Sequence, residues 1–186
     1  MRLPPVIDPA EFAPAELSAL QLDGDCFSLG DCLVAVDQPV DAATRAATIA
    51  VTVRPGLVAE RRTAAWVHGA TWLLQRPLQC SIDRSQGRRT VPAGRDVREV
   101  RFAPQDVQVI GGVTVTTPLR TAIDLARLEP DHPDIDRMIR TLLRMAGVAG
   151  GEASALLHER GPMPHKRRGV DRLASLALDP NRPALF

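Results

Sequence analysis

The sequence predicts an α+β fold: a small mixed or antiparallel sheet packed with helices, preceded by a short hairpin unit and followed by a C-terminal helical segment. Three observations carry this. Short β-branched runs separated by turn residues fill the middle of the chain, from Leu78 to Val115. Apolar residues recur at helical spacing from Pro118 onward. Between the two, Gly111–Leu128 reads as a strand that turns abruptly into a helix, with Thr117 at the N-cap and Pro118 at the first helical position, where a missing N–H costs nothing.

The elements follow in order. Residues 1–14 are Pro-rich and read as irregular or loosely attached. Ala15 to Leu22 forms a short helix. The turn signals Asp23-Gly24 and Gly30-Asp31 bracket Cys26–Leu29 and Cys32–Val36, which predicts a β-hairpin. Asp41 caps a small-residue helix over Ala42–Val53, ended by Pro55-Gly56, and a second helix is expected over Val58 to Leu74, carrying Trp66 and His68. Four strands follow, Leu78–Asp83, Arg98–Ala103, Val107–Ile110 and Gly112–Thr117, with an exposed basic loop, Ser85 to Arg95, after the first. Helices are then expected over Pro118–Leu128, Pro133–Met145, Glu152–Glu159 and Gly169–Leu178, and a Pro-rich tail closes the chain.

The 186 residues suffice for one good core, or one domain with a small appendage. With four Phe, two Trp and no Tyr, that core must be built from Leu, Val, Ile and Ala. Lys166 is the sole lysine, which reads first as the coding bias of a GC-rich genome and second as selection for phosphate contacts. No apolar run approaches the roughly 20 residues a bilayer requires, and no signal-peptide centre is present, so a cytoplasmic location away from membranes is expected. Cys26, Cys32 and Cys80 have no metal-ligand spacing and read as buried, inert thiols.

A net charge of +1 hides an asymmetry. Residues 1–60 hold nine acids against Arg2, Arg45 and Arg54, while residues 61–186 hold twenty basic residues against thirteen acids. The basic part suits nucleic acid or an acidic partner, and the acidic part should not approach a phosphate backbone.

Enzymatic chemistry finds little support. His68-Gly69 after Trp66 has no local nucleophile or orienting acid, so Trp66 is expected in the core and His68 at a helix end. His158, Glu159 and His165 lack the three- or four-residue spacing of a helical metal site. Asp96, Glu99 and Asp106 have no lysine nearby to complete a metal-dependent nuclease centre. No catalytic, metal or cofactor residues are assigned, and no cofactor is expected. Arg120 and Asp124, four apart, read as a helix-surface ion pair, or as a pin between helix and sheet if partly buried. The candidate contacts to nucleic acid or a protein partner are the loop arginines Arg84, Arg88, Arg89 and Arg95, with Arg98 and Arg101 beyond them, and the run Lys166, Arg167, Arg168 with Arg172. Their lack of interleaved aromatics disfavours stacking on single strands.

Two blocks carry a family resemblance. Glu60–Ala70 contains Thr63, Trp66, His68 and Gly69, and the strand-to-helix junction contains Thr117, Pro118, Arg120, Thr121 and Asp124. Together they resemble the AbiEi-type antitoxins of actinobacteria, over about Leu22 to Leu178. The resemblance implies an antitoxin and transcriptional regulator of a type IV (abortive infection) toxin–antitoxin system. It further implies an N-terminal winged helix that binds operator DNA, and an α/β C-terminal domain that neutralises a nucleotidyltransferase-like toxin. The expected division is residues 1–40 as a shortened, winged-helix-like region with a degenerate wing, and 41–186 as the antitoxin-like domain with its C-terminal helices. Two departures from the pattern stand out. The helix ahead of the hairpin has no basic residue, so DNA reading is expected to be shortened or lost. Many relatives continue into a Vsr-like endonuclease domain, and this chain stops about where that domain would begin. Three readings stay open: an antitoxin acting by protein binding, a DNA-binding regulator using its arginine clusters, and a remnant of an endonuclease-containing protein.

Overall fold

The computed structural model describes residues 4–84 and 97–177 of the chain. The basic loop from Ser85 to Arg95, with Arg88, Arg89 and Arg95, lies outside the described residues, as do Asp96 and the Pro-rich tail.

The N-terminal unit is a three-stranded antiparallel sheet. Strands β2 (Cys26–Leu29) and β3 (Cys32–Ala35) form the expected hairpin, and β1 (Val6–Ile7) pairs with β3 on its other side, giving the order β1-β3-β2. The opening segment is therefore not loose as its prolines suggest. Ile7 is fully buried with Cys26 and Leu33, and helix α1 (Pro14–Leu22) lays Leu17 and Leu20 over them. All three cysteines are buried. The hairpin turn at Gly30 has φ +61, and a Cβ there would press on Thr48 and Trp66, so glycine lets the turn sit directly on the helices behind it.

Asp41 caps α2 (Ala42–Ile49) by accepting the Thr44 N–H at 2.8 Å. The helix stops four residues earlier than its composition suggests, where Val53 folds back into the core. The next segment departs further from expectation. Leu57–Ala59 is a strand, β4, and only Arg61–Val67 is helical, as α3. The reason is tertiary. A short apolar run does not distinguish a buried strand from a buried helix, and β4 is taken by the sheet on both sides, antiparallel to β5 (Cys80–Asp83) and parallel to β8 (Val113–Thr116). Gly69 at φ +77 then prevents α3 from reaching Leu74.

The main sheet is mixed, in the order β6-β5-β4-β8-β7, with β6 (Arg98–Val100) parallel to β5 and β7 (Val107–Ile110) antiparallel to β8. One face buries Leu57, Ala59, Cys80, Ile82, Val113 and Val115 against Ala46 and Ile49 of α2 and Trp66 of α3. A second core holds the helical half. Helix α4 (Pro118–Leu128) packs on α3, α5 (Pro133–Ala146) and α7 (Lys166–Ala177), and α6 (Gly150–Glu159) closes against α7. Ile123, Leu125, Ile139, Leu142, Leu157 and Leu173 fill it completely. Leu, Ile, Val and Ala thus build both cores, with Trp66 as the one large aromatic. Among the described residues no helix is long and apolar enough to cross a membrane.

The β7–β8 turn offers a clean stability comparison. Gly111 and Gly112 both have positive φ, as a two-residue hairpin turn of the I′ kind requires. A Cβ on Gly111 would lie 2.5 Å from the Ala43 carbonyl oxygen of α2, whereas one on Gly112 meets open space. Gly112→Ala should cost about 1 kcal/mol of backbone strain. Gly111→Ala should cost that plus roughly 1–3 kcal/mol of overpacking. Urea denaturation midpoints of the two variants check the difference.

Candidate functional site

The two sequence blocks meet in space. Strand β4 delivers Glu60 and α3 at one end of the sheet, and β8 delivers α4 beside it through the Thr117-Pro118 junction. Thr117 occupies the N-cap position without a side-chain capping bond: its hydroxyl donates to the Gln105 carbonyl at 3.4 Å, and its N–H to the Asp106 carbonyl. Thr121 fixes the junction from inside, its hydroxyl bonding Thr117 O at 2.8 Å and lying 2.7 Å from the Thr116 hydroxyl. His68, at the end of α3, donates its Nε2–H to Thr116 O at 2.8 Å. Burial outweighs that bond and pushes the imidazole below its ordinary pKa, so it ties α3 to β8 in its neutral form.

Two buried ionic networks radiate from this junction. In the first, Arg120 sits between Asp106 and Asp124, at 2.6 and 2.7 Å, with its guanidinium 4.9 Å above the Phe102 ring. Arg160 of the segment after α6 makes a two-pronged contact with Asp106, at 3.0 and 2.7 Å, and Arg127 bonds Asp124 at 2.7 Å and the Pro164 carbonyl. Burial alone would raise the Asp106 pKa, but the Arg160 hydrogen bond and the charges of Arg120 and Arg160 outweigh it and hold the carboxyl below its usual range. The helix-surface reading of Arg120 and Asp124 is thus corrected. Both are buried, and they pin α4 to the β6–β7 connection.

The second network holds Glu60, which is fully buried, and Glu129, which is nearly so. Arg98 clasps Glu60 with Nε at 3.1 Å and Nη2 at 2.7 Å, and Arg61 adds Nε at 3.2 Å. Glu129 accepts from Arg61 at 3.3 Å, Arg62 at 2.7 Å and Gln79 at 3.0 Å. Gln79 also accepts the Arg62 backbone N–H and donates its own backbone N–H to the Thr63 hydroxyl, both at 2.8 Å. Arg61 holds a left-handed backbone, φ +48, unusual for a side-chain-bearing residue and worth roughly 1–3 kcal/mol of stored strain.

The other sequence candidates are dispersed. Arg84 is exposed and pairs with Glu99 at 2.6 Å. Arg98 turns inward to Glu60. Lys166 donates to the His158 and Arg160 carbonyls. Arg168 bonds Glu129 O and Asp131, and Arg172 is buried against Glu129 O, Pro130 O and Asp136. Arg167 points to solvent, 96% exposed, with Asp171 at 4.0 Å. Arg101 is also exposed. A groove of about 600 Å³ beside this run alternates Asp131, Asp136 and Asp171 with Arg167, Arg168 and Arg172. Among the described residues no group of His, Cys, Asp and Glu is placed to hold a metal ion.

Local sequence reading missed the pairing of Glu60 with Arg98 and of Glu129 with Arg61 and Arg62. Thirty-eight and sixty-seven or more residues separate these partners, so no local spacing rule connects them. The available signal was a lone Glu opening a block of small and apolar residues.

Residues 56–168, more than half of the chain, match the AbiEi antitoxin C-terminal domain. The matched span contains both ionic networks except the last residue that feeds them, Arg172. No curated protein matches the chain in a sequence search.

The Asp106 network generates a pH prediction. A carboxyl whose folded pKa lies below its unfolded value of about 3.9 contributes stability that is present above that value and is lost as pH falls through the folded pKa. The wild type should therefore lose stability steeply below about pH 4. Asp106→Asn should be less stable at pH 7 by about 3–5 kcal/mol, because Arg120 and Arg160 lose their buried partner, and should show a shallower acid limb. Denaturation midpoints from pH 7 to pH 2.5 measure both.

Proposed function

We propose that this chain, a member of the AbiEi antitoxin family, neutralises a nucleotidyltransferase-like toxin by direct protein binding in the cytoplasm, with no catalysis of its own. The match over residues 56–168 supports the antitoxin role. The observation that carries the protein-binding reading is the way charge is divided over the surface. From residue 4 to residue 53 the one basic side chain is Arg45, and it is buried, 5.2 Å from the Trp66 ring centroid. Glu11, Glu16, Asp23, Asp25, Asp37 and Asp41 are all exposed there. In this reading residues 1–40 are a reduced winged helix whose hairpin and single α-helix repel a phosphate backbone rather than follow it. The body beyond residue 41 carries the exposed cations, and these steer an acidic protein surface into place.

Co-expression with the product of the adjacent reading frame tests the proposal. The chain should restore growth when that product is toxic. Arg84→Glu with Arg167→Glu should weaken the rescue while leaving thermal stability within roughly 0.5 kcal/mol, because both side chains are exposed. No rescue by the wild-type chain overturns the proposal.

A second reading, operator binding through the arginine clusters, is favoured by the exposure of Arg167 and Arg101. Fluorescence anisotropy against the upstream duplex and a scrambled one separates the two. The protein-partner reading expects weak, sequence-blind binding that disappears at physiological salt. Tight binding that prefers the upstream duplex and survives that salt would transfer the role to DNA.

A further inference from the structure

We infer that Arg61, Arg62 and Arg98 form a binding site for a phosphoryl group, carried by a small nucleotide or present as free phosphate. The inference is independent of the antitoxin reading, since it concerns a cluster of side chains within the chain and needs no partner protein.

The first ground is how the three guanidinium groups are held. Arg98 and Arg61 converge on Glu60, and Arg61 and Arg62 converge on Glu129. Each guanidinium has five N–H donors. Among the described residues Nη2 of Arg61, Nη2 of Arg62 and Nη1 of Arg98 make no hydrogen bond. The side chains are 16, 20 and 34% exposed, so the cluster is sheltered but open on one side. Three cations face two carboxylates, and Arg127 lies close by. Burial pushes the Arg127 pKa down, and the charges of Arg120, Arg98 and Arg160 add to that against the pull of Asp124. Counted by its own ion pairs, the cluster has more guanidinium groups than carboxylates, so it keeps a positive excess. Carboxylates that orient arginines in advance remove the side-chain entropy an oxyanion would otherwise have to overcome.

The second ground is independent of the ion pairs. Ser81 on β5 is fully buried, and its hydroxyl has no hydrogen-bond partner among the described residues. Buried hydroxyls are rarely left unsatisfied, and each such case calls for a partner. Ser81 stands directly opposite Arg98 across the β5–β6 ladder, and its side chain lies on the sheet face away from Cys80 and Ile82, the face shared by Arg98 and Glu60. The hydroxyl has essentially no solvent-accessible surface, so it meets an oxyanion only where the arginine side chains shift to admit one.

The backbone of Arg61 adds a diagnostic. Its left-handed φ suits glycine better than arginine. Arg61→Gly therefore relieves backbone strain while deleting the guanidinium, together with its bonds to Glu60 and Glu129.

Isothermal titration of the full chain with inorganic phosphate, beside chloride at equal ionic strength, tests the site. The expected result is saturable one-to-one binding that chloride does not reproduce. Arg98→Lys, which keeps the charge and loses the fork, should weaken binding several-fold, and Arg61→Gly at least tenfold. Arg167→Gln, remote and exposed, should bind as the wild type does. Circular dichroism confirms that each variant is folded, and Ser81→Ala, which removes only the orphan hydroxyl, supplies a weaker-binding variant should Arg61→Gly fail to fold. A nucleoside triphosphate titrated in parallel distinguishes the sources: tighter binding assigns the phosphoryl group to a nucleotide, and equal binding assigns it to free phosphate. Heat matched by chloride, or phosphate affinity unchanged in Arg98→Lys and Ser81→Ala, overturns the inference.

Discussion

The buried guanidinium of Arg120 is the constraint on which the helical half depends. Its bonds to Asp106 and Asp124 tie the turn before β7 to the middle of α4. Arg160 and Arg127 extend those ties to the segments that follow α6 and precede α7. A buried ion pair gains little net stability over well-packed apolar residues, because desolvation offsets the Coulomb attraction. Its effect is directional. Helix α4 carries an apolar stripe that satisfies many rotations against α3, α5 and α7, and the arginine bonds select the one in which Asp124 meets both Arg120 and Arg127. Lysine would not replace either arginine, since each spreads bonds over two acceptors from a planar fork.

The second network has a different character. The acids at its centre are buried, yet the arginines that surround them reach toward solvent, and Arg61 adopts a strained backbone to do so. The same Glu129 that receives Arg61 and Arg62 through its side chain receives Arg168 and Arg172 through its carbonyl. The end of α4 therefore bonds both α3 and α7 through a single residue.

Periodicity and capping made the helices of the C-terminal half legible. The Gly111–Leu128 junction, the Asp41 cap and the α5 stripe all appear where the sequence places them, because each rests on contacts within a few residues. The hairpin was legible for the same reason. What stayed hidden depends on distance along the chain. Val58 reads as helical until β5 and β8 flank it. Val6 and Ile7 read as tail until β3 offers an edge. Arg120 and Asp124 look like a surface pair because i,i+4 spacing is silent on what covers the helix, and Asp106, fourteen residues before Arg120, supplies the cover. The loop arginines were read as a unit, whereas Arg84 faces solvent and Arg98 faces a buried acid from the same strand neighbourhood.

The division of charge follows from these same assignments. The basic surplus of residues 61–186 is not a uniform coat. Arg61, Arg62, Arg98, Arg120, Arg127, Arg160 and Arg172 all bond acids or carbonyls within the body. Among the described residues that leaves Arg84, Arg101 and Arg167 as the strongly exposed cations of the two candidate clusters, at separate places in the fold. Continuous duplex binding draws affinity from many phosphate contacts in register. Dispersed cations such as these, beside an acidic N-terminal unit, are a poorer track for a duplex than a continuous basic face. In the proposed antitoxin role they would serve to orient a protein partner, where a few rim charges set the encounter rate and the affinity comes from the contacts that follow.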